Sequence, residues 1–311
     1  MLKKLCLATV ILLMGLLLLT SCDEAEGAAD APDTNLTAAE TPPATPETTP
    51  PPEHEHVCDD DCDHHHLPLL DGTMLELLRD NPMVLRQFQP VEPGEELVTL
   101  HTNHGDITLR FFPEDAPIAV ENFLTHARNG FYDGVTFHRV IPGFMIQGGC
   151  PLGTGGGGES IWGHDFGLEP SFNLRHFRGA LAMAHAGGRM GSQFYIVQST
   201  SIDMGTRMEF EMIMQELDTP IGVFSDGHRI YGRDIHSIEE LEYFIENGGT
   251  PFLDWYWNQN AHTVFGHVVE GMDVVDAIAN VPATPSAPAP PPNDRPHDPV
   301  IIERISFFYY G

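Results

Sequence analysis

The sequence predicts a mainly-β fold: a closed β-barrel capped by two helices, with a helical insertion late in the chain. Three observations carry this expectation. Short apolar runs punctuated by glycine recur between residues 96 and 199, and many short strands with few helices suit a closed β architecture. Two amphipathic helical patterns lie far apart, at 116–130 and 271–281, where they can cap opposite ends. The strand pattern breaks off at Ser199 and is interrupted until "TPFLD" at 250.

The chain of 311 residues opens "MLKKLCLATVILLMGLLLLTSC". Two lysines followed by an apolar run form a secretory leader, not a fold element. Its ending, Leu19-Thr20-Ser21-Cys22, resembles the bacterial lipoprotein signal, with residues 1–21 removed and Cys22 carrying the lipid. An extracytoplasmic protein, lipid-anchored to the cell membrane, is therefore expected. Removing the two leader lysines from the 15 basic residues leaves 13, all arginine, against 45 acidic residues, a formal charge of −32. Nucleic acid binding calls for a cationic surface, so no nucleic-acid partner is expected. A strongly anionic body is also repelled by an anionic bilayer, which suits a protein held away from it by a tether.

Residues 22–66 read as that tether. Residues 23–53 are rich in Pro, Thr, Ala and Glu, with too little apolar surface to offset the entropy of ordering. The tether ends in "HEHVCDDDCDHHH", which offers His54, His56, Cys58, Cys62, His64, His65 and His66. Imidazole and thiolate are ligands for Zn, Ni and Cu, so this segment is a candidate metal site. The other reading is a Cys58–Cys62 disulfide of an oxidising compartment, and the spacing leaves both open. Residues 67–95 form a connector with a short helix at 73–80, where Thr73 and Glu76 stand at capping-box positions.

The barrel is expected over 96–311. "ELVTLHTNHGDITLRFF" alternates on both sides of residues 103–106, a hairpin pattern. "APIAVENFLTHARNG" has Pro117 near its start, one apolar face and Gly130 after its last turn. Strands follow at "VTFHRVI", "FMIQGG", "GALAMAHAG" and "SQFYIVQS", then the helix "GMDVVDAIANV" and a last strand in 300–310. Within the insertion, about 200–250, "SIEELEYFIENGG" carries Ser237 as a cap and Glu240 three residues on. The methionines of 204–217 are expected to pack the insertion against the body. The loop 282–299 is Pro-rich, and the sequence places no structural demand on it. Cys150 is expected to be a small buried residue rather than a redox centre.

The stretch "FHRVIPGFMIQGG", 137–149, sets Arg139 among apolar residues with no acidic residue in the same stretch. Together with "GALAMAHAG…GSQFYI", "FLD…HTVFGHVVEGMDVVDAI" and "APIAVENF", it resembles the cyclophilins, peptidyl-prolyl cis-trans isomerases, over roughly 96–311 less the insertion. The resemblance implies an eight-stranded antiparallel barrel, Arg139 as the catalytic residue and no required cofactor. It implies a proline pocket lined by Phe144, Met145, Tyr195, Phe252, Leu253 and His262. Gln147 and Gln193 match the glutamines that hold the arginine and the substrate backbone. Ala184 and His185 match the edge where that backbone pairs. Proline-containing polypeptides are the expected partners, and a monomer is expected. Tyr195 stands where the family usually has phenylalanine and His185 where asparagine is common. Phe252 replaces the tryptophan of cyclosporin-sensitive members, which implies weakened cyclosporin binding. Two other functions compete with catalysis: a module that only grips Pro-containing segments, and metal capture by residues 54–66 with the barrel as carrier.

Overall fold

The computed structural model describes residues 86–169, 171, 173–215, 220–223, 229–231, 237–254, 261–284 and 294–311. The leader, Cys22, the tether, the histidine-rich segment and the helix expected at 73–80 lie outside the described residues. So do residues 255–260 and positions 285–293 of the Pro-rich loop.

The hairpin forms as its alternation predicts. Strands β1 (Glu96–Thr102) and β2 (Gly105–Phe111) pair antiparallel, with Thr102 opposite Gly105. Helix α1 (Pro117–Arg128) begins at Pro117, whose fixed φ and missing N–H suit a first turn. The residue before it, Ala116, supplies no side-chain cap. A distant one does so instead: the Glu169 carboxylate accepts from the N–H groups of Ile118 (2.9 Å) and Ala119 (2.8 Å).

Strands β3 (Arg139–Ile141), β4 (Met145–Gly148), β5 (Ala180–Ala186) and β6 (Arg189–Val197) follow. Later come β9 (Val264–Glu270), the short helix Met272–Ala279 and β10 (Ile302–Tyr309). Eight strands form one antiparallel sheet in the order β10-β1-β2-β9-β5-β6-β4-β3. The sheet curls, and the segment leading into β3 lies against the start of β10: Thr136 bridges Ile301, and Phe137 N–H donates to the Val300 carbonyl at 2.9 Å. No ladder joins β3 to β10 among the described residues. Successive side chains on a strand point to opposite faces. Val140, Ile146, Phe194 and Ile196 face inward to the main core, joined there by Phe123 of α1 and Ile278 of the late helix. Full burial of each such side chain stabilises by roughly 1.5–3 kcal/mol.

Two glycines of the 137–149 run are needed for their backbone. Gly143 (φ 75°) turns β3 into β4, and Gly149 (φ 81°) passes so close to β6 that a Cβ there would collide with the Ser192 carbonyl. Only glycine adopts such φ values without strain. Cys150, next in sequence, is buried and free, as expected.

The insertion is less uniformly helical than the sequence suggests. It contains α2 (Met204–Gln215), a two-stranded ribbon of β7 (Pro220–Val223) and β8 (Arg229–Tyr231), and α3 (Ile238–Asn247). The capping box of α3 is present: Ser237 Oγ accepts from Glu240 N–H, and Ser237 N–H donates to the Glu240 carboxylate at 2.7 Å. For two of the methionines the expectation needs correcting: Met204 and Met208 are exposed, whereas Phe210 of the same helix is buried in a cluster with Leu241, Phe244 and Phe177. With α3 preceding it, the late helix Met272–Ala279 is α4 in chain order.

Candidate active site

The outward-facing residues of the sheet build the site. In β3 these are Arg139 and Ile141. Their ladder partners in β4 are Gln147 and Met145, which in turn stand opposite Tyr195 and Val197 of β6. Ala182 of β5 pairs with Tyr195 on its other side. The period of two thus sets Arg139 on the same sheet face as an apolar cluster containing Met145, Tyr195, Val197, Ala182 and Leu253, with Phe144, Ile141 and Ala184 at its margin. Leu253 reaches this face from the 3-10 turn Pro251–Asp254. Phe252, on the same turn, stacks on Phe144 with ring centroids 5.9 Å apart. His262 packs edge-on against Tyr195 at 5.4 Å.

Two histidines at the site are held neutral. His262 Nδ1–H donates to the Met183 carbonyl at 3.0 Å. Burial, then the neighbouring His185, pushes its pKa down to about 3. His185 stacks on His262 at 4.0 Å. Its Nε2–H donates to the Ala261 carbonyl, and its Nδ1 accepts from Gly188 N–H. A carbonyl can only accept, so these contacts fix both tautomers. Burial lowers the pKa of His185 as well. Both ring nitrogens of His185 are committed within the chain, so its imidazole packs the site.

The glutamines behave differently from the pattern the resemblance implies. Gln147 lies directly across the ladder from Arg139, yet its amide donates to Gln193 Oε1 at 3.0 Å. The amide of Gln193 donates to the carbonyls of Gly155 and Gly157, tying down the glycine-rich loop. The partner of Arg139 is a residue the sequence did not single out. Arg139 Nε–H donates to Asp294 Oδ2 at 3.3 Å.

A second unanticipated feature lies beneath the cluster. The Tyr195 hydroxyl meets His176 Nε2 at 2.9 Å, and His176 Nδ1 meets Asp254 Oδ1 at 2.5 Å, with the His176 and Asp254 side chains fully buried. Asp254 also accepts from the backbone N–H of His176. This chain links the floor residue Tyr195 to the turn that carries Phe252 and Leu253. The one sequence signal for it is the hydroxyl itself: a tyrosine in place of phenylalanine needs a buried partner.

The candidate face sets a half-exposed cation beside an apolar cluster, and the Tyr195 hydroxyl that meets His176 is buried beneath that cluster rather than presented on it. Comparison with known proteins identifies the class. The family model for cyclophilin type peptidyl-prolyl cis-trans isomerases matches residues 97–233 and 231–307. A Staphylococcus aureus (strain USA300) protein named as a peptidyl-prolyl cis-trans isomerase is 43% identical over 216 residues, covering 69% of this chain and 93% of that one. A Streptococcus pyogenes protein named as a bifunctional phosphatase/peptidyl-prolyl cis-trans isomerase is 44% identical over 214 residues, 68% of this chain and 38% of the relative. A crystal structure of a Cryptosporidium parvum cyclophilin type peptidyl-prolyl cis-trans isomerase superposes with a TM-score of 0.48 at 26% identity, covering 70% of this chain and 99% of that one.

The chain belongs to the cyclophilin-type peptidyl-prolyl cis-trans isomerase family. Its enzyme class is therefore isomerisation of the peptide bond preceding proline, which in this family needs no cofactor. Among the described residues no group of three or more His, Cys, Asp or Glu is placed to hold a metal ion. No helix among them is long and apolar enough to cross a membrane.

Proposed function

We propose that the chain isomerises Xaa-Pro bonds of exported polypeptides at the outer side of a cell membrane, held there by a lipid on Cys22, and so assists their folding. The extracytoplasmic setting is supported by the leader, the Cys22 ending and the tether composition. The chemistry follows from the amide. Rotation about the bond faces a barrier of ~18–20 kcal/mol from resonance. In the twisted transition state the prolyl nitrogen loses conjugation, and its lone pair becomes a hydrogen-bond acceptor. A donor aimed at that nitrogen binds the twisted state better than either planar state, and only such differential binding accelerates the step.

Arg139 supplies the donor in this reading. Met145, Phe144, Tyr195, Leu253 and His262 grip the proline ring. Gln147, held by Gln193, and the edge at Ala184 and His185 receive the backbone on either side. Phe252 closes one wall through its stack on Phe144; without an indole donor, it also gives weak cyclosporin binding. The observation that carries the reading is the register: Arg139 shares a sheet face with the apolar cluster around Met145 and Tyr195. Replacing one preorganised transition-state donor typically costs ~10²–10³ in rate. In a protease-coupled assay on an Xaa-Pro peptide, Arg139→Ala is expected to lose about that much turnover while still binding the peptide. Wild-type turnover in Arg139→Ala rejects the assignment of Arg139, whereas peptide binding without turnover in the wild-type chain leaves a Pro-segment binding module.

A further inference from the structure

The arginine poses a problem of its own. Its side chain is 42% exposed, and a long flexible side chain in solvent samples many rotamers. A transition-state donor is effective only when it is fixed in advance. Gln147, the residue directly across the ladder, gives its amide to Gln193 instead. Among the described residues, the one hydrogen-bond acceptor for the guanidinium is Asp294, through Nε.

We propose that Asp294 is a positioning residue that holds the Arg139 guanidinium through its Nε–H, an inference that rests on Arg139 acting as the catalytic donor. Three observations support it. Asp294 is itself immobilised: its side chain is only 7% exposed, and its backbone is tied on both sides. Its N–H donates to the Thr284 carbonyl at 2.8 Å, and its carbonyl accepts from Val140 N–H at 2.8 Å. Val140 directly follows Arg139, so the loop is keyed to the strand that presents the arginine. Thr284 N–H to the Arg295 carbonyl and His297 N–H to the Pro282 carbonyl staple the base of the Pro-rich loop behind it.

Asp294 is also the one described non-glycine residue with a left-handed backbone, φ 60°. Aspartate tolerates this conformation better than most residues, yet it remains an outlier, and outliers collect where the surroundings impose a particular geometry. Here the conformation sets the carboxylate at Nε while the carbonyl reaches Val140. The atom engaged is the third point. A carboxylate at Nε restrains the outer torsions of the side chain and leaves both terminal nitrogens, Nη1 and Nη2, without an acceptor among the described residues. The guanidinium is steadied from behind, and its donor edge remains for a substrate.

The test is a set of substitutions in the full mature chain, assayed for Xaa-Pro isomerisation with kcat and KM separated. Asp294→Gly keeps the left-handed backbone accessible and removes the carboxylate. It should lower kcat about tenfold with little change in KM, a split that a loop-stability role does not produce. Asp294→Asn keeps an oxygen facing Nε and should recover at least a third of the wild-type kcat. Arg139→Ala combined with Asp294→Gly should be no slower than Arg139→Ala alone, because the carboxylate acts only through the arginine. Wild-type kcat in Asp294→Gly, or losses that multiply in the double variant, overturns the proposal while leaving Arg139 catalytic. Wild-type kcat in Arg139→Ala overturns the catalytic reading and this inference with it. Should Asp294→Gly fail to fold, ¹⁵N relaxation of the Arg139 Nε in the wild-type chain decides: order like that of the backbone supports the proposal, and free rotation rejects it.

Discussion

Arg175 and Arg139 each meet a carboxylate through Nε and face opposite surroundings. Arg175 Nε–H donates to Glu240 Oε1 at 2.9 Å, with both side chains only 1% exposed. Its Nη1 reaches the Ser171 carbonyl, and its backbone is paired in both directions with Gln87. Arg139 Nε–H donates to Asp294 at 3.3 Å from a half-exposed position. In the interior, every guanidinium donor left without a partner is costly, so Arg175 spends its hydrogen bonds inside the fold. On the outward sheet face, Nη1 and Nη2 of Arg139 have no acceptor among the described residues. Arg175 ties the helix α3 of the insertion to the body; Arg139 is the donor we propose for the reaction. Exposure, and not the presence of a carboxylate, separates the two.

That contrast is sharpest in stability. Removing one partner of a buried ion pair leaves an uncompensated charge and costs ~3–5 kcal/mol. Glu240→Ala is therefore expected to lower the unfolding free energy, read from denaturant titration, by about that much while leaving turnover per folded molecule intact. An equal loss of turnover breaks the division between the two arginines.

Acid is the next lever. Burial, first among the causes, pushes the pKa of His262 and of His267 down to about 3, and that of His138 to about 4. These imidazoles stay neutral in the fold but charge near their ordinary pKa, about 6.5, when the chain unfolds. The unfolded state therefore takes up more protons as pH drops from about 6.5 toward 4, and stability falls with it. Each group contributes up to about 1.4 kcal/mol per pH unit in that window. Unfolding midpoints measured from pH 7.5 to 4.5 should decline below about 6.5, and a flat profile contradicts the neutral assignments.

Smaller effects follow. Ser237→Ala removes half of the capping box beside Glu240 and should cost about 1 kcal/mol in the same unfolding measurement. Arg139→Ala should change stability by less than about 1 kcal/mol, as befits a half-exposed pair. A loss from Arg139→Ala comparable to that of Glu240→Ala would make the two arginines alike.

The fold was legible where pattern and chemistry are local. The β1–β2 hairpin, α1, α4, β10 and the capped helix α3 each carry their signal within a dozen residues. The β7–β8 ribbon was not legible, because neither short run alternates enough to stand out. The exposed Met204 and Met208 were misjudged because apolar composition does not say which face of a helix has something to pack against. At the candidate site, "FHRVIPGFMIQGG" brought Arg139, Phe144 and Met145 into one stretch, and the register sets Arg139 on the face of the apolar cluster that holds the other two. It could not reveal Asp294, which lies 155 positions downstream at the end of a Pro-rich loop. The His176–Asp254 contact spans 78 positions and is equally invisible to local pattern. Glu169, which caps α1 from 50 residues away, was missed for the same reason.

The most direct test of the account is NMR exchange spectroscopy of an Xaa-Pro peptide at saturating concentration with Arg139→Ala. Peptide shifts report binding, and cis–trans cross-peaks report turnover in the same sample. The account predicts that the shifts persist while the exchange rate falls at least ~10²-fold. Exchange at the wild-type rate with the guanidinium gone would contradict it.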